Sequence, residues 1–305
     1  MTLFEDFAEM TISVAARARN LLSASDIRRV GAKGLLTLLA TVLVAGAHVS
    51  DSMASIQPVA TAKQSDRPIW AERAHIHKNG GGLVAASAKV DPSAHIAPGA
   101  MVMAGAEVCA NAMVSPGSRI GPDAKVGERA WIGKNTRIMN GAVIGAWARL
   151  YGSNTIGVNA KLEQGTMLGD GTSVGADSVV GLRSILGANV WLGRDVMIGV
   201  GGNVFDGAKI GDETRIGDRV SIGKGVLISV RSIIWHDVGI GNFCKFGPEC
   251  VIESNVTLGE HGWYGANIKV SEGNTVPANI SVFFDKNGKL HVELRKAFPE
   301  NSPGM

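Results

Sequence analysis

Stepping by six from Val84 meets a hydrophobic residue at every one of 33 consecutive positions, ending at Val276, with no insertion or deletion. At 45% hydrophobic composition such a run has a chance probability on the order of 10⁻¹¹. The residue after the hydrophobic one is glycine in more than half of the hexads. The residue two before it is small or β-branched, as in Ala124, Ala130, Thr136, Ala142 and Ala148, and is never charged or aromatic. A beat of six with two inward positions predicts short strands separated by corners. The large aliphatic residue and the small residue point in, and the one between points out. Three hexads make one 18-residue coil, so the run makes about eleven coils and a column about 50 Å long at ~4.8 Å per coil. Residues 18 apart become vertical neighbours. Glycine after the aliphatic residue is expected to supply unusual backbone angles or close approach at the corners.

Composition agrees. Forty glycines, with aromatics at only 5%, speak against an aromatic-rich globular core. Collagen is excluded because glycine does not recur every third residue. Disorder is excluded by the hydrophobic content. A net charge of +3, from 30 basic and 27 acidic residues, makes no case for nucleic acid. Three cysteines cannot build a disulfide framework.

The chain divides into five parts. Residues 1–33 read as an amphipathic helical segment, with Leu3, Phe4, Phe7, Met10 and Val14 on one face. Residues 34–54 hold an apolar run, Leu35 to Ala47, short for a spanning helix of about 20 residues and suited to a signal or anchor. Export or membrane association through residues 1–47 is favoured over a cytoplasmic location. Residues 55–83 read as a linker closed by Gly80-Gly81-Gly82, which lets the chain enter the first coil. The solenoid occupies 84–280. Residues 281–305 read as a hairpin with an Asn287-Gly288 turn that caps the last coil, followed by a tail.

Residues 84–276 resemble the hexapeptide-repeat proteins. That resemblance implies an all-β, left-handed parallel β-helix, and the hand comes from the resemblance alone. The superfamily is dominated by acyltransferases that act as homotrimers, with sites between neighbouring columns. It also holds gamma-class carbonic anhydrases and silent scaffold subunits.

Three of the seven histidines, His95, His236 and His261, lie in the repeat. None forms the H-x4-H pair by which the carbonic anhydrases hold zinc, and His75-Ile76-His77 has the wrong spacing. A carbonic-anhydrase-like protein lacking its zinc ligands is therefore a weak third reading, and no metal is expected. The segment Trp235-His236-Asp237-Val238-Gly239-Ile240-Gly241-Asn242 resembles the H-[DE]-x-x-[IV]-G-[DN] stretch of hexapeptide sugar O- and N-acyltransferases. The resemblance implies His236 as general base and Asp237 as its acidic partner. It implies acyl-CoA or acyl-carrier protein as co-substrate and a sugar-like hydroxyl or amine as the small-molecule acceptor. An imidazole suits the task because it exchanges a proton near neutrality. Stacking by 18 places Asp218 and Ser254 on either side of His236. With Asn242, they complete the candidate substrate-binding set. The alternative is a non-catalytic column. The unbroken repeat, with no loop inserted over a site and no nucleotide-binding domain, points that way.

Cys244 and Cys250 occupy the inward small position and read as buried packing thiols, while Cys109 is expected to face a corner. Trp131, Trp191 and Trp263 occupy the outward position, the last two on one face four coils apart. They read as subunit contacts or isolated surface aromatics.

Overall fold

The computed structural model describes residues 73–294. The expectations for residues 1–72 and for the tail beyond 294 lie outside the described residues. Within them the chain is all β. Two-residue strands recur every six residues from Lys89–Val90 to Thr275–Val276. They form three parallel sheets, one per side of a triangular column. Face A starts from Leu83–Ala85 and Met101–Val102, face B from Lys89–Val90 and face C from His95–Ile96. Register is 18 throughout: Ile132 pairs with Leu150 and Ile138 with Ile156. Among the described residues no helix is long and apolar enough to cross a membrane.

The core follows the beat. Ile120, Ile132, Leu150, Ile156, Leu168 and Leu192 are fully buried, as are the small residues Ala124, Ala130, Ala142 and Ala148. Each buried aliphatic side chain contributes about 1.5–3 kcal/mol. At the small position Ser232 donates back to Ser229 O, whereas at six others held by Ser or Thr among the described residues the hydroxyl donates to a carbonyl 15 residues on, as Ser118 does to Gly133 and Ser178 to Gly193. Cys244 and Cys250 do the same through sulfur, to Gly259 and Gly265, and burial pushes the Cys244 thiol up to about 11. Asn154 is a larger polar resident of this row. It is satisfied, donating to the Tyr151 carbonyl at 2.9 Å and accepting from Thr172 N at 2.8 Å. Cys109 opens a corner, its carbonyl accepting from Ala112 N at 3.3 Å. It follows the strand Glu107–Val108 on face B and is half-buried.

The glycines correct part of the sequence reading. Those after the aliphatic residue do not adopt left-handed angles; they serve close approach only. A Cβ on Gly175 would meet Gly193 O at 2.0 Å, and one on Gly133 would meet Tyr151 O at 2.3 Å. Positive φ sits two residues later, at every sixth residue from Gly99 to Asn279, whether glycine or not. Asn and Asp dominate the non-glycine cases, but Arg219, Phe243 and His261 share the conformation. Such residues carry roughly 1–2 kcal/mol of strain for a Cβ-bearing side chain, which coil stacking must offset.

Both ends differ from simple closure. Inside the stretch read as a linker, Ala74–Ile76 forms an antiparallel strand on Leu83–Ala85. The glycine run is its turn, with Gly80 too close to Ile96 O (2.3 Å) to carry a Cβ. At the other end Ile280–Phe284 and Leu290–Leu294 form the expected hairpin. It extends face A alone, through Trp263↔Ser281, so the ladders of faces B and C end at Lys269–Val270 and Thr275–Val276.

Candidate active site

His236 is the first residue of the corner that follows strand Ile233–Ile234 on face B. Its side chain is 46% exposed. At this corner position a recurrent device ties coil to coil: a side-chain acceptor takes the backbone N–H of the residue 18 before it. Asp206 accepts from Ala188, Asp212 from Arg194, Asp218 from Val200 and Asn242 from Lys224, at 2.8–2.9 Å. His236 occupies the same rung, because its Nδ1 accepts the N–H of Asp218 at 2.9 Å. A neutral ring accepting through Nδ1 carries its proton on Nε2. Gly217 makes room for this ring, since a Cβ there would lie 3.0 Å from Nδ1.

The two neighbouring carboxylates behave differently. Asp237 spends its carboxylate on Arg219 rather than on a hydrogen bond to the imidazole. Its backbone is left-handed (φ 58), and its carboxylate makes a bidentate ion pair with Arg219, 18 residues before it, at 2.6 and 2.7 Å. That guanidinium holds the Asp237 carboxyl below the usual carboxylate range. Asp218 is the acid at the ring. Its Oδ1 is taken by Val200 N, while Oδ2 lies 3.6 Å from His236 Nδ1. Vertical stacking, rather than adjacency in sequence, decides which acid meets the histidine.

Ser254 lies one coil beyond His236, and the His236 carbonyl accepts from Asn255 N at 3.1 Å. Asn242 is not brought to this site. One hexad later in the chain means the next corner, where its amide donates to Glu260 at 2.7 Å. Trp235, 48% exposed, flanks the imidazole with ring centroids 6.2 Å apart. His261 sits in the left-handed position of another corner and stacks on Phe243 at 5.2 Å. Among the described residues there is no group of three or more His, Cys, Asp or Glu placed to hold a metal ion. Arg219 was missed as a site residue, although the 18-residue offset from Asp237 is legible in the sequence.

No family model and no curated protein matches the chain. Among solved structures it is similar to a UDP-N-acetylglucosamine acyltransferase from Bacteroides fragilis (16% identity, 60% of this chain and 72% of that one, TM-score 0.43). It is also similar to the corresponding enzyme from Francisella novicida (17%, 68% and 69%, TM-score 0.38). A third is a point mutant of perosamine N-acetyltransferase from Caulobacter crescentus, in complex with CoA and GDP-perosamine (26%, 40% and 54%, TM-score 0.28). This chain therefore spans about half the length of the perosamine enzyme.

Proposed function

We propose that the protein is an acyltransferase that moves an acyl group from a CoA or carrier thioester to a sugar-like hydroxyl or amine, working as a homotrimer with His236 as general base. The observation that carries this reading is the contact of Asp218 Oδ2 with His236 Nδ1, 3.6 Å apart, beneath a half-exposed ring. Giving up the Asp218 N–H bond costs about 1 kcal/mol. A small approach of Oδ2 replaces it with a charge-assisted Nδ1–H···O bond. Nε2 is then unprotonated and faces outward, as a base requires. The acceptor's lone pair attacks the thioester carbonyl while its proton passes to Nε2. The tetrahedral oxyanion collapses, the C–S bond breaks, and the leaving thiolate takes the proton back from the imidazolium. Asp218 orients the ring, and Asp237 serves the corner through Arg219.

The second reading is a non-catalytic column, exported or membrane-anchored. It is favoured by one observation: His236 fills a rung that Asp206, Asp212 and Asn242 fill elsewhere as plain backbone acceptors. Thiol release from acetyl-CoA, measured against a panel of amino sugars, separates the two. The enzyme reading expects turnover that falls by about 10²–10⁴-fold in His236→Ala, falls in Asp218→Asn and persists in Asp237→Asn. Absence of thiol release with every acceptor leaves the column. Loss in Asp237→Asn with activity kept in Asp218→Asn refutes the orientation argued here.

A further inference from the structure

Face A carries a row of outward side chains that the candidate active site does not use. The strand register places Trp191 beside Lys209, Lys209 beside Leu227, Leu227 beside Lys245 and Lys245 beside Trp263. The order is aromatic, cation, aliphatic, cation, aromatic. At ~4.8 Å per rung the two indoles stand about 19 Å apart. Beside this row runs a second outward row of Gly211, Ser229 and Gly247, which has little side-chain bulk; at the two glycines coil stacking forbids any, since a Cβ on Gly211 would meet Val230 N at 2.7 Å and one on Gly247 Ala266 N at 2.6 Å. Asp212 and Val230 form the far wall. The result is an open trough of about 470 Å³ along the column.

We infer that this trough binds a linear acidic polysaccharide whose acid groups recur on every second sugar. Four features of the trough argue for that occupant. Its length suits an extended chain rather than a compact metabolite. The indoles at its ends offer flat apolar faces of negative quadrupole to the C–H faces of sugar rings. Trp191 is 45% exposed, and the Trp263 ring is held by Phe283 at 5.5 Å. Lys209 and Lys245 recur on alternate rungs. Neither joins an ion pair among the described residues, whereas Arg215, Arg219, Arg231 and Lys269 each face a carboxylate. Asp212, on the coil of Lys209, commits Oδ1 to Arg194 N, which leaves Oδ2 to accept sugar hydroxyls along the trough's wall. A purely phosphate chain would leave the indoles and Leu227 unused. The site stands on face A, away from the corner after face B, so it does not depend on the acyltransferase reading.

The test is tryptophan fluorescence titration of the full chain with four probes. These are an oligosaccharide of alternating glucuronic acid and N-acetylglucosamine, an uncharged N-acetylglucosamine oligomer of equal length, single-stranded oligothymidylate and inorganic polyphosphate. Expected is saturable binding of the acidic glycan at least tenfold tighter than the other three. Trp191→Ala and Lys209→Gln/Lys245→Gln should each weaken it at least tenfold, and the lysine pair should also remove most of its salt dependence. Trp131→Ala, on face C, should leave it unchanged, and circular dichroism checks that each variant is folded. Equal binding of the uncharged oligomer, equal or tighter binding of either phosphate polymer, or no binding at all would overturn the proposal. So would sedimentation in which Trp191→Ala dissociates an oligomer, because the trough would then be a contact between copies.

Discussion

Three glycines with three different surroundings give a sharp test of how the coils stack. Gly175 follows the aliphatic residue Val174; a Cβ there would meet Gly193 O at 2.0 Å and Gly193 C at 2.3 Å, all backbone. Backbone cannot rotate aside, so Gly175→Ala must push two coils apart and strain the Gly175 N–H to Leu192 O bond of 3.0 Å. Overpacking costs about 1–3 kcal/mol, and one weakened hydrogen bond adds about 1 kcal/mol, for roughly 2–4 kcal/mol in all. Gly207 has φ +69 and nothing within 4 Å of a Cβ. Alanine there meets the left-handed penalty of about 1–2 kcal/mol, offset by about 0.4–1 kcal/mol from a less flexible unfolded chain, a net loss of roughly 0.5–1. Gly239 lies in a face C strand with open space around the missing Cβ and no left-handed angle. There alanine gains roughly 0.5–1 kcal/mol. The assay is urea unfolding combined with amide hydrogen exchange around each site, because a repeat column need not unfold as one unit. The expected order of stability is Gly239→Ala above wild type, then Gly207→Ala, then Gly175→Ala. A Gly175→Ala variant as stable as Gly207→Ala, or a destabilised Gly239→Ala, would refute the close-approach argument.

Two further outcomes follow from buried and paired groups. Tyr264 is fully buried and stacks on Phe246 at 4.7 Å, while its hydroxyl finds no partner among the described residues. Tyr264→Phe should raise the urea midpoint, by about 1 kcal/mol of stability, and a lowered midpoint would reveal a bond that the hydroxyl makes. Asp237, Glu253 and Asp285 are all held below the usual carboxylate range, chiefly by hydrogen bonds from Arg219, Lys269 and Lys289 N respectively. Their folded values lie below the unfolded ones of about 4, so their stabilisation is complete above that range and is lost as pH falls through the folded values. Unfolding midpoints should therefore decline below about pH 4, and less steeply in Asp237→Asn; an unchanged slope would deny the Arg219 pair any part.

The legible part of the fold was the part carried by period. The series from Val84 to Val276 located the strands, because an inward aliphatic residue every six admits one register. The same arithmetic placed Asp218 at His236 and aligned Trp191 with Trp263. The corners were less legible. Glycine after the aliphatic residue is conspicuous in sequence, but left-handed φ falls two residues later at Arg219, Phe243 and His261 as readily as at glycine. Coil stacking overrides local preference there. The strand Ala74–Ile76 was missed because it lies outside the beat and owes its conformation to the exposed edge of Leu83–Ala85.

The sequence by itself determined a three-sided column, its coil length and its vertical neighbours, because those depend only on which positions must leave water. Tertiary structure decided side-chain direction and pairing. Asp237 adjoins His236 in the chain yet turns to Arg219, while Asp218 reaches the ring. Asn242 matches the motif yet stands at another corner. A corner side chain answers to the coil beneath it, where a charge or a backbone N–H waits within hydrogen-bond reach, and a linear motif contains no record of that neighbour.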